Sequence, residues 1–153
     1  MADPLHLDRS SIIRSLPQGE PFVFVDSAHI LGTRASGTYH ITGEECFSLG
    51  HFPSRPIFPA SILVEALGQL AIVHMLCSPQ GHAIDTCSIY FIKSEEVRCA
   101  RKCIPGDCLD MEVQQVRIRE PLIVFSGSIK VSGETALKVS SFTLSFMNKT
   151  VES

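Results

Sequence analysis

Apolar side chains occupy nearly every azimuth of one stretch, from Ala60 to about Cys77, and that stretch is rich in helix-favouring Ala, Leu, Glu, Gln and Met. Pro59 precedes it and Ser78-Pro79-Gln80-Gly81 closes it, so the pattern predicts a helix of roughly 27 Å wrapped by protein on most sides. The exception is a narrow stripe in which Ser61, Glu65, Gly68 and Gln69 share about 100° of arc. A shorter amphipathic turn, Ile12, Ile13 and Leu16 behind a capping Asp8 and before Pro17, predicts a peripheral helix. Elsewhere the pattern is extended. Phe22 to Asp26 with Thr38 to Ile41 reads as a hairpin, and Cys87–Ile92, Val97–Ile104, Leu109–Ile118, Leu122–Val131 and Thr135–Phe146 read as strands of an antiparallel meander. Pro105-Gly106-Asp107, Glu120-Pro121 and Ser132-Gly133-Glu134 mark its reversals. The expected fold is α+β, a curved antiparallel sheet around one long helix, in a single domain spanning residues 1–153.

Composition narrows the function classes. The formal net charge is −3 and charged residues make up 19% of the chain, with no basic field and no basic-aromatic interleaving, which argues against nucleic acid. With so few charged residues and a slightly positive mean hydropathy of +0.20, more apolar surface is available than a small monomer usually hides, so a subunit interface is expected. The first 16 residues carry Asp3, Asp8, Arg9 and Arg14 and no signal-peptide core, and Glu65, Gln69 and His74 interrupt the most apolar segment. A soluble cytoplasmic protein without a membrane span is therefore expected. Six cysteines form no C-x-x-C pair or finger spacing, so they read as free thiols and no metal is assigned.

Three features bear on chemistry. Glu65 is a carboxylate near the start of an otherwise apolar helix; desolvation there would raise its pKa and leave it able to donate a proton, although a buried ion pair would also explain it. His51 heads a loop with proline at 53, 56 and 59, flanked by Gly50; alone it would ordinarily be a solvated or structural imidazole. Together, a stiff loop running into a buried helix sets a defined relation between imidazole and carboxyl, as proton-transfer catalysis requires. The free N–H groups at Ala60 and Ser61 could stabilise a developing oxyanion, or simply be capped by water.

The stretch Gly50-His51-Phe52-Pro53-Ser54-Arg55-Pro56-Ile57-Phe58-Pro59-Ala60-Ser61-Ile62-Leu63-Val64-Glu65-Ala66-Leu67-Gly68-Gln69 resembles the signature of the β-hydroxyacyl-acyl-carrier-protein dehydratases of fatty-acid synthesis. Leu16-Pro17, Pro21-Phe22, Val25-Asp26, Tyr90-Phe91, Arg98 and Pro105-Gly106-Asp107 extend the match over most of the chain. The resemblance implies a hot-dog fold, a homodimer as minimal unit and often a trimer of dimers. It implies His51 and Glu65 as the catalytic pair, facing each other across the dimer interface, and Gly50, Phe52, Pro59, Ala60 and Gln69 around the substrate. Glu rather than Asp at position 65 resembles the dehydratase-only branch. Ala60 stands where the family usually has glycine, and Cys99 where it usually has an aromatic residue.

The implied reaction removes water from a 3-hydroxyacyl thioester and needs no metal or organic cofactor, the substrate riding on the phosphopantetheine of an acyl carrier protein. Lys93, Arg98, Arg101 and Lys102 are the candidate docking patch for that acidic carrier, although such a cluster also reads as a solvated face. A hot-dog thioesterase, a coenzyme-A-linked hydratase and a non-catalytic acyl-binding subunit are the competing readings.

Overall fold

The computed structural model describes residues 3–79 and 81–150. The chain runs β1 (Leu5–Leu7), α1 (Arg9–Ser15), β2 (Ser27–Leu31), β3 (Arg34–His40), α2 (Ala60–Cys77), two short 3-10 turns, then β4 (Tyr90–Cys99), β5 (Cys108–Arg119), β6 (Leu122–Val131) and β7 (Glu134–Ser145). All strand pairs are antiparallel, in one seven-stranded sheet of order β1-β2-β3-β5-β6-β7-β4.

The long helix has the expected bounds and lies across β2, β3, β5 and β6. By length and composition it could cross a membrane, but most of it is buried within the fold. Two glycines bring the sheet close to it. A Cβ on Gly37 would lie 2.7 Å from the Ser27 carbonyl oxygen and 3.0 Å from Leu70, and one on Gly127 would lie 3.1 Å from Leu67 and 3.3 Å from Phe142. The core sits between these layers, with Phe24, Leu67, Leu70, Phe125 and Phe142 fully enclosed. Asp8 caps α1 as its sequence position suggests, its side chain accepting from the Ser11 N–H at 2.9 Å.

Three expectations are corrected. The hairpin is Ser27–Leu31 with Arg34–His40, turning at Gly32, and Phe22–Val25 is an extended strap outside the sheet. Side chains hold the strap in place of a ladder: Arg9 reaches the carbonyls of Val23 and Val25, and Gln69 bonds the backbone of Phe22 and Phe24. Second, the segments 87–92 and 97–104 are not two strands. Cys87 falls in a 3-10 turn capped by Asp85, a single strand spans 90–99, and the chain then leaves the sheet as Arg101 pairs with Asp107 and Glu134. Third, only β5, β6 and β7 form a meander; β4 crosses to the far edge and pairs with β7, where Phe91 stacks on Phe142 at 5.9 Å. The short edge strand β1 carries no period-2 signal long enough to be read from the chain.

Candidate active site

The loop from Ile41 to Pro59 carries His51, and packing fixes it on both sides. Phe47, four residues before, and Phe58, seven after, meet edge-on at 5.2 Å and both pack on Phe24 at 5.9 Å. Between these anchors His51 is held by three bonds. Its N–H donates to the Phe47 carbonyl at 3.1 Å, its carbonyl accepts from the Ile57 N–H at 2.7 Å, and its Nδ1 lies 2.9 Å from the Ile57 carbonyl oxygen. A carbonyl only accepts, so Nδ1 carries a proton, and in the neutral ring the lone pair is then on Nε2. The half-buried imidazole is thus oriented through Nδ1. The Phe52 ring stacks on it at 4.3 Å and is itself 51% exposed.

The same loop delivers the helix. Pro59 is the N-cap residue and provides no side-chain hydrogen bond, and among the described residues the N–H groups of Ala60 and Ser61 have no protein acceptor. Ala60 takes ordinary helical dihedrals; the non-glycine residues with positive φ among those described are Glu96 and Ser132. The Ala60 methyl group therefore introduces no backbone strain.

Glu65 lies in the second turn, half-buried. Burial pushes its carboxyl above the usual range, opposed by the Gln69 amide one turn further on. The stripe expected on the helix runs from solvent into the core: Ser61 is exposed, Glu65 intermediate, Gly68 and Gln69 buried. Phe91 covers Gly68, its ring 3.7 Å from where a Cβ would stand. Gln69 is fully buried and both ends of its amide are bonded, Oε1 accepting from the Phe24 N–H at 2.8 Å and Nε2 donating to the Phe22 carbonyl at 3.0 Å. Its observed role is to tie the strap to the helix rather than to line open space.

Gly50, His51 and Phe52 thus share one loop with the start of α2, while Glu65 and Gln69 follow along the helix. Among the described residues no hydrogen bond joins His51 to Glu65 within the chain.

The expected docking cluster divides. Lys93 pairs with Glu95 at 3.0 Å, and Arg101 pairs with Asp107 and Glu134 at 3.3 and 3.5 Å, whereas Arg98 and Lys102 are exposed. The sequence reading missed Arg117 and Arg119. With Lys93 they surround a groove of about 350 Å³ floored by Leu122, Val124 and Thr143, and neither arginine has an ion-pair partner among the described residues. Arg117 and Arg119, two apart on one strand, share a sheet face, and register sets Arg117, Val124, Thr143 and Lys93 in one row across four strands. The Arg-x-Arg alternation was legible; the arrival of Lys93 beside it was not.

A curved antiparallel sheet around one buried helix defines a hot-dog protein, and the histidine loop entering that helix and the half-buried glutamate on it are its candidate acid/base site. Residues 16–140 match the FabA-like domain family. The 3-hydroxyacyl-[acyl-carrier-protein] dehydratase FabZ of Paramagnetospirillum magneticum is 34% identical over 129 residues, 83% of this chain and 80% of that protein. The FabZ of Thermomicrobium roseum is 34% identical over 132 residues, 85% and 87% of the two chains. Among solved structures, the dehydratase heterocomplex ApeI:P from Xenorhabdus doucetiae superposes with a TM-score of 0.74 at 17% identity, over 90% of this chain and 91% of that one. A hypothetical thioesterase with coenzyme A from Streptococcus pneumoniae gives 0.57 at 13% identity, over 78% and 82%. These two likenesses speak to the fold alone. The chain belongs to the FabA-like family.

Proposed function

We propose that the protein is a (3R)-hydroxyacyl-[acyl-carrier-protein] dehydratase of fatty-acid or related polyene/polyketide synthesis. The observation that carries this reading is the His51 imidazole, held through Nδ1–H so that Nε2 is a free base. Nε2 removes a proton from the carbon next to the thioester carbonyl, whose oxygen accepts from the Ala60 N–H at the start of α2. Glu65, whose protonated form burial favours, gives its proton to the departing hydroxyl; a carbon–oxygen bond breaks, water leaves and a trans-2-enoyl thioester remains. The thioester itself acidifies the α-proton, so the two side chains suffice without metal or organic cofactor. Gly50 and Phe52 line the substrate beside His51, Pro59 directs the chain into α2, and Gln69 holds the wall next to Glu65.

The working unit is a homodimer that brings His51 of one chain to Glu65 of the other, and dimers assemble further as trimers of dimers. All ten residues of β4 are exposed in the single chain, with Tyr90 70% and Ile92 48% accessible, and only one side of the strand is paired. A long unpaired edge that exposes Tyr90, Phe91, Ile92 and Val97 is normally covered, and a second copy of β4 fits it. The carrier is an acidic protein bearing phosphopantetheine, received by Lys93, Arg117 and Arg119. A soluble cytoplasmic enzyme is the setting this reading implies.

The test is to incubate the purified protein with 3-hydroxyacyl carriers of several chain lengths and follow enoyl product, with His51→Ala and Glu65→Gln as controls. Product from the wild type and none from either control supports the assignment. Release of free thiol, or full turnover by His51→Ala, overturns it.

A further inference from the structure

Glu45 is the only acid among the buried described residues, and the proposed chemistry does not use it. A carboxylate out of water is costly unless it is paired or saturated with hydrogen bonds. No Lys, Arg or His lies within ion-pair distance of Glu45 among the described residues. Four neutral donors satisfy it instead. Oε1 accepts from the Gly43 N–H at 2.9 Å, and Oε2 accepts from the Thr42 N–H at 3.1 Å, the Thr42 hydroxyl at 2.8 Å and the Tyr39 hydroxyl at 3.3 Å. Burial and the Glu45 charge both push the Tyr39 hydroxyl upward, so it stays a donor.

These bonds close residues 42–45 into a turn at the end of β3, and that turn leads without a break to His51. The Glu45 carbonyl accepts from the Ser48 N–H at 2.9 Å, and the Phe47 carbonyl accepts from the N–H groups of Gly50 and His51 at 3.2 and 3.1 Å. Tyr39 packs on Phe58 at 6.0 Å, joining the turn to the far end of the loop, one residue after the Ile57 carbonyl that holds Nδ1. Both ends of the bond that selects the His51 tautomer are therefore referred to the same buried anchor.

We propose that Glu45 is a positioning residue for His51: its carboxylate fixes the 42–51 turns so that Nδ1–H meets the Ile57 carbonyl and Nε2 faces the substrate. This rests on the reading of His51 as the base. Loosening the anchor would let the imidazole leave the Ile57 carbonyl and sample the other tautomer, in which Nε2 carries the proton and cannot accept one.

The experiment uses the intact homo-oligomer and the variants Glu45→Gln, Thr42→Val and Tyr39→Phe. It reads kcat and KM with a 3-hydroxyacyl carrier, melting temperature, and the His51 ring nitrogens in long-range 1H–15N spectra. In the wild type the ring shows one tautomer, protonated at Nδ1. In Glu45→Gln, which keeps the side-chain size but halves its acceptor oxygens, kcat falls about 10- to 100-fold with KM nearly unchanged, and the ring spectrum becomes a mixture. Thr42→Val, which removes one donor and leaves the carboxylate, gives a smaller loss in the same direction; it also carries the test if Glu45→Gln does not fold. Tyr39→Phe, losing the longest of the four bonds, moves kcat least. Unchanged kcat, or a kcat loss with the tautomer unaltered, overturns the proposal and leaves Glu45 an ordinary turn residue. Full turnover by His51→Ala would instead overturn the base assignment, so the two failures are distinguishable.

Discussion

Replacing Gln69 with leucine removes the tie between the Phe22–Val25 strap and the central helix while nearly preserving volume. Two bonds are lost: a buried one from the Phe24 N–H at 2.8 Å and a partly buried one to the Phe22 carbonyl at 3.0 Å. Leaving a buried N–H unsatisfied costs about 1–3 kcal/mol, and a lost bond whose acceptor recovers water costs about 1 kcal/mol. The sum, about 3 kcal/mol, corresponds to a drop in melting temperature of about 6–12 °C for a chain of this size. Ile72→Val, a methylene loss on the same helix, should cost only about 1 kcal/mol, which separates the polar contribution from packing. Calorimetry at fixed protomer concentration reads the shift, and amide exchange at Phe24 reads its origin. A drop below about 2 °C with Phe24 protection unchanged would refute the assignment of that bond as the strap's anchor.

Three further outcomes follow from the same geometry. Glu65→Gln should abolish turnover yet stabilise the fold at neutral pH. The wild-type carboxyl sits above its unfolded value, so the favourable contribution of its neutral form is complete below the unfolded pKa and is lost as pH rises through the folded one; the variant's advantage should vanish in acid melts. Gly37→Ala should destabilise by about 2–3 kcal/mol because its Cβ meets the Ser27 backbone, whereas Gly127→Ala, whose tight contacts are the side-chain ends of Leu67 and Phe142 and which meets the Glu112 carbonyl oxygen at an ordinary 3.4 Å, should cost about 1 kcal/mol or less by denaturant titration. Arg117→Glu with Arg119→Glu should raise KM for a carrier-bound substrate about tenfold or more and leave a small thioester mimic unaffected; equal effects on both would count against docking at that groove.

The sequence determined much of this protein locally. The bounds of α2, the Asp8 cap, the Pro105-Gly106 turn and the span of β6 each rest on residues adjacent in the chain, where helix period, capping and turn chemistry act directly. A loop histidine and a helix carboxylate also stood out as candidates, because proline spacing and a lone acid in an apolar helix are local anomalies. Only the tertiary structure decided the rest. Phe22–Val25 has strand composition but becomes a strap because Gln69 and Arg9, distant in sequence, take its backbone groups. Strand β4 looked like the first turn of a meander, yet it crosses to the edge beside β7 and thereby brings Lys93 to Arg117 and Arg119. Glu45 carries no signal along the chain, and its place as an anchor comes from the four donor groups that converge on it in the fold. In each case the deciding contact is between groups whose separation along the chain gives no periodic signal, so only the folded packing, which must satisfy every buried donor and acceptor, selects it.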